Sequence, residues 1–83
     1  MQASTSKMEK GIIESVDFSD AQHPAIHIEE NFDSAYYLHT SDVEVAKTIE
    51  VGDQVIFFPA WDNSSPYYML WEVYRAGKLV WMR

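Results

Sequence analysis

The chain has 83 residues, with 6 Lys plus Arg against 13 Asp plus Glu and a formal charge of −7 at pH 7. One small acidic domain is expected, burying roughly 60% of the surface its unfolded form exposes, and a large multi-domain enzyme is excluded. With 47% hydrophobic and 14% aromatic residues and only three each of Gly and Pro, the composition is that of a folding chain, not a disordered or collagen-like one.

Residues 1–8 are small and polar without period and are expected to form a tail, leaving 9–83 as the single domain. Apolar residues then come in short runs: Gly11 to Phe18, Ala25 to Ile28, Ala35 to Leu38, Val55 to Phe58 and Tyr67 to Tyr74. Each run is rich in β-branched or aromatic residues, and turn-forming clusters separate them at 19–24, 30–34 and 62–66, so five strands are predicted. In the first run Ile12, Ile13 and Val16 cannot all point inward under strict alternation, which implies a bulge.

Between the third and fourth strands, Ser41 to Lys47 begins with a candidate N-cap, has Glu44 three residues after Ser41, and is followed by Gly52. The pattern predicts one helical turn with Val43 and Ile49 facing the core, then a turn at Val51-Gly52-Asp53. At the end of the chain, Arg75-Ala76-Gly77-Lys78 sits between two apolar segments, as in a hairpin that adds a sixth strand. Leu79 to Trp81 would then either cover the open end of a barrel or serve as a partner surface, including a homodimer seam. So few short strands avoid exposed edges most simply by closing into a barrel.

From Lys10 to Val73 the chain resembles a cold-shock domain, the small five-stranded member of the OB-fold class. Lys10-Gly11-Ile12-Ile13 is similar to that family's first strand, Tyr37-Leu38-His39 to its Phe-Val-His motif, and Ile49 to Phe57 to the stretch leading into its fourth strand. The resemblance implies an all-β, OB-like barrel that binds single-stranded RNA or DNA. Leu38 would be core, and alternation then turns Tyr37 and His39 outward beside Ala25, His27 and Glu29 of strand two. There are departures. Pro24-Ala25-Ile26-His27-Ile28 puts Ala25 and His27 where the family carries a pair of Phe rings, and Ser15 stands where it has an exposed Trp.

The expected outer face thus carries His27, Tyr37 and His39, with Trp61 as a further exposed ring. Stacking on such rings contributes about 1–3 kcal/mol per base. The candidate nucleic-acid-binding residues are His27, Tyr37, His39 and Trp61. Among the remaining aromatics, Phe57 and Trp71 are assigned to the core and Tyr67 to the surface. No Lys or Arg falls in strands two and three, so binding should be weak and fall with salt. The alternative is an acidic module that docks on a basic protein partner.

No enzyme activity is expected. The sequence has no Gly-rich phosphate loop or nucleophile elbow, and His23, His27 and His39 lack a metal-ligand spacing, so neither cofactor nor metal is predicted. Cysteine is absent, which fits a reducing compartment and predicts a cytoplasmic location. No stretch approaches the ~18 apolar residues of a membrane span, and residues 1–10 carry no apolar signal core.

Overall fold

The computed structural model describes residues 8–29, 35–62 and 65–83, without the side chains of residues 61, 62, 65 and 66. Apart from Met8, the expected tail lies outside the described residues, as does the turn at 30–34.

The described chain is all-β apart from one short helix. Its strands are β1 (Glu9–Asp17), β2 (Ala25–Ile28), β3 (Ala35–Tyr37), β4 (Gln54–Asp62), β5 (Ser65–Arg75) and β6 (Lys78–Met82). They form one antiparallel sheet in the order β3-β2-β1-β4-β5-β6. Among the described residues no continuous ladder closes it. The chain just after β3 meets β5 in an isolated parallel bridge between Leu38 and Tyr68, where the His39 N–H donates to the Tyr68 carbonyl at 3.0 Å.

β1 is shared between two partners: Glu9 to Ile12 pair with β4, and Ile13 to Asp17 with β2. The expected bulge lies between Ile13 and Ser15. The extra residue lets fully buried Ile13 and partly buried Val16 both reach the core. Where β1 changes partner, a Cβ on Gly11 would lie 2.5 Å from Cγ2 of Ile28. Glycine is required there for space.

Ile13, Ile26, Leu38, Val55, Phe57, Leu70 and Val73 fill the core. Three rings, Tyr36, Phe57 and Tyr68, meet edge to face at 5.0–5.3 Å and extend it. Trp71 is not core, contrary to the expectation. A register irregularity between β4 and β5 adds one residue to β5, so Leu70 and Val73 both point inward while Trp71 turns outward onto Phe58, 5.0 Å away edge to face.

The expected helical turn is a 3-10 turn, Thr40–Asp42, running into α1, Val43–Ala46. Starting the helix at Val43 changes its phase, so Val45, Ala46 and Ile49 face the core and Val43 is only half-buried. The predicted Ser41–Glu44 capping pair does not form; His39 accepts the Ser41 N–H instead. The turn before β4 is closed by the Glu50 N–H donating to Asp53 at 2.9 Å, with Gly52 at φ 94°.

The β5–β6 hairpin is as predicted, with Ala76 at φ 53° and Gly77 at φ 79°. Two positive φ values match the right-handed twist of the flanking strands. β6 does not plug an open end: Leu79, Val80 and Met82 are exposed, and only Trp81 packs against the core. The chain beyond Gly77 continues as an edge strand, and a register irregularity leaves Val80 without a ladder partner between Leu79 and Trp81. Among the described residues no helix is long and apolar enough to cross a membrane.

Candidate binding face

Cross-strand register builds the face formed by β1, β2 and β3. Asp17 lies opposite Ala25, and Ala25 opposite Tyr37; one step along, Ser15 lies opposite His27, and His27 opposite Ala35. Paired residues in a sheet point to the same side, so these six side chains form two rows of three. In the first row a methyl group sits between a carboxylate and a phenol. The result is a cleft of about 310 Å³ lined by Asp17, Ser19, Asp20, His23, Ala25 and Tyr37.

Ala25 itself is only 5% exposed, a correction to the exposure expected for it. Its side points out of the sheet as alternation requires, but its taller neighbours cover it. Tyr37 is 52% exposed and forms the aromatic wall. His23 also lines the cleft, and its ring is stacked on Tyr67 at 4.4 Å and 14°, so Tyr67 is half-buried rather than a free surface anchor. The stack ties the β1–β2 loop to β5. His23 Nδ1 lies 3.5 Å from Asp20.

The loop is shaped by its own acids. Asp17 accepts from the Ser19 hydroxyl at 2.6 Å and the Ser19 N–H at 2.8 Å; Asp20 accepts from the Gln22 N–H at 3.0 Å and its carbonyl from the His23 N–H at 3.1 Å. The Ser19 hydroxyl, then its N–H, hold the Asp17 carboxyl below its usual range, with a smaller contribution from His27. Asp17 therefore keeps its charge to a lower pH than an aspartate without these bonds.

Of the residues expected to bind, the structure places His27 and Tyr37 on one face, in adjacent rows. His39 is directed elsewhere, with its Nδ1 3.2 Å from the Ser41 nitrogen and 3.1 Å from its hydroxyl, supporting the 3-10 turn. Trp61 lies in β4 opposite Pro66; its side chain is outside the described residues. Sequence reasoning missed Asp17, Asp20 and His23. Ala25 at the position of a large ring was the one signal available, because a missing ring in a row leaves a hole.

The described cations lie elsewhere. Lys47 pairs with Glu44 at 3.3 Å, Arg75 holds Asp53 at 2.8 Å and Glu50 at 3.4 Å, and Arg83 pairs with Asp42; Lys10 is on β1 where it borders β4, and Lys78 on β6. None lines the cleft. Among the described residues no group of three His, Asp or Glu is placed to hold a metal. No protein-family model, curated protein or solved structure matches the chain.

Proposed function

We propose that this protein is a non-enzymatic binding module whose β1–β2–β3 face takes a cationic side chain of a basic protein partner. One observation carries this reading: the cleft joins an exposed tyrosine to two carboxylates and contains no Lys or Arg. An aromatic face beside anions attracts a guanidinium or ammonium through both cation–π and ion-pair terms. The same anions oppose a phosphate backbone. The net charge of −7 favours encounter with a basic surface and makes the on-rate salt-sensitive.

A second reading, weak binding of single-stranded RNA or DNA by an OB-like barrel, draws on the strand order. The order β3-β2-β1-β4-β5 together with the Leu38–Tyr68 bridge brings the ends of a five-stranded sheet towards each other, and Tyr37 offers a ring for stacking.

Titration of the protein with a fluorescein-labelled peptide of alternating Arg and Ser, and separately with labelled single-stranded DNA and RNA, at low and moderate salt, distinguishes them. The peptide should bind at micromolar concentration, weaken with salt, and lose about tenfold in affinity on Tyr37→Ala or on Asp17→Asn with Asp20→Asn, as for one contact worth about 1.4 kcal/mol. Salt-sensitive oligonucleotide binding without peptide binding would refute the first reading and support the second.

A further inference from the structure

A second group of side chains, none of which lines the cleft, is built around Asp42. This carboxylate is 1% exposed, one of two buried carboxylates among the described residues. Its Oδ2 accepts the Leu70 N–H at 2.7 Å, and its Oδ1 pairs with a guanidinium nitrogen of Arg83. Arg83 Nε donates to the Leu70 carbonyl at 2.8 Å, and the guanidinium carbon lies 5.9 Å from the Trp71 ring centre and 5.7 Å from that of Trp81. A buried carboxylate, a backbone carbonyl and two indole rings therefore surround one guanidinium. This arrangement suits the planar fork of arginine and not the point charge of lysine.

The walls and the occupant differ in how firmly they are held. Asp42 and Leu70 are core positions, and Trp71 is braced by Phe58. Trp81 packs against the core and the Arg83 N–H donates to the Trp71 carbonyl at 2.9 Å, so the end of the edge strand keeps its place beside β5. The Arg83 side chain is 25% exposed, and a partly exposed side chain changes rotamer without opening the strand. It can therefore leave while the receptor stays formed.

We infer that the Asp42–Leu70–Trp71–Trp81 cage is a guanidinium-binding site which Arg83 fills in cis, and that an arginine of a partner protein competes with Arg83 for it. The tethered Arg83 competes at high effective concentration, so the intact protein binds a free arginine analogue poorly and a variant without this side chain binds it well.

The test is tryptophan fluorescence and thermal unfolding of the full chain as wild type, Arg83→Ala and Arg83→Ala with Asp42→Asn, each titrated with Nα-acetyl-arginine amide and its lysine counterpart. Arg83→Ala should bind the arginine amide about tenfold or more tighter than wild type, with saturable quenching and a rise in Tm, and the lysine amide at least about tenfold more weakly; Asp42→Asn should abolish the gain. Tyr37→Ala in the Arg83→Ala background should leave this binding unchanged, which separates the cage from the cleft. Should Arg83→Ala be unfolded alone, the arginine amide should refold it by linkage. Neither saturable binding nor refolding, or equal binding of both amides, would overturn the inference and leave Arg83 as a structural clamp.

Discussion

Gly11→Ala is expected to destabilise the protein through one contact. The added methyl would stand 2.5 Å from Cγ2, 2.9 Å from Cδ1 and 3.2 Å from Cγ1 of Ile28. Ile28 is buried, lies opposite Ile13 in the ladder and belongs to the core, so it cannot simply swing aside. Overpacking of this kind costs about 1–3 kcal/mol, and at 4–8 °C per kcal/mol for a domain of this size a loss of ~2 kcal/mol lowers Tm by about 8–16 °C. The partner mutation makes the test specific. Ile28→Ala removes all three clashing atoms and alone costs about 2–5 kcal/mol through the cavity it leaves. In the double variant the new methyl occupies part of that cavity, so the sum should fall short of additivity by about 1 kcal/mol or more. Ile28→Val is the control, because it deletes Cδ1 and retains a methyl at the closest position. Urea unfolding of wild type, the three single variants and the two doubles completes the cycles. Additivity of Gly11→Ala with Ile28→Ala within about 0.5 kcal/mol would show that this approach does not require glycine at position 11, and the account would fail.

Ala76 holds φ 53° in the hairpin turn, a conformation costing an L-residue roughly 1–2 kcal/mol, so Ala76→Gly should stabilise by about 1 kcal/mol after the entropy of glycine is counted; an unchanged or lower urea midpoint would contradict the turn geometry. Asp53 lies below the ordinary carboxyl value of 3.8, chiefly through its Arg75 hydrogen bond and secondarily the Glu50 N–H, against the opposing effect of burial. A depressed folded pKa contributes stability above the unfolded value, which is lost as pH falls below about 3.8. Asp53→Asn should therefore flatten the acid limb of Tm against pH, and an unaltered limb would remove Asp53 from the explanation. Tyr37 is mostly exposed, so Tyr37→Ala should change stability by no more than about 0.5 kcal/mol while weakening partner binding; a large loss in Tm would make the binding result uninterpretable as a contact effect.

The strands were legible because β-branched and aromatic residues alternate in them and turn formers interrupt them, and the bulge in β1 because Ile12, Ile13 and Val16 cannot satisfy a period of two. The extra residue in β5 carries no such signature. Tyr67 to Tyr74 is apolar at nearly every position, so nothing in the run marks where the phase changes, and Trp71 was placed on the wrong side. The cleft was hidden for a different reason. Asp17, Ala25 and Tyr37 come from three strands and become neighbours only through register, which local pattern does not encode, and His23 meets Tyr67 across a long loop of chain. Asp42 reads in sequence as one more surface acid; its partners, the Leu70 N–H and Arg83, come from distant parts of the chain that local pattern does not connect to it.

How charge is distributed decides between the two binding readings. Arg75 and Arg83 are committed to the buried carboxylates Asp53 and Asp42, so they are not available to a phosphate backbone at the cleft. Asp17 and Asp20 remain at its rim. Both carboxylates oppose a phosphate placed in the cleft and attract a guanidinium there, each effect weakening as salt screens it. Stacking one base on Tyr37 contributes about 1–3 kcal/mol and has to act against that repulsion. A guanidinium gains the Coulomb term and the ring together. With a single exposed ring and no cation in the cleft, base stacking is the weaker attraction, which is why the proposed reading gives the face a positively charged ligand.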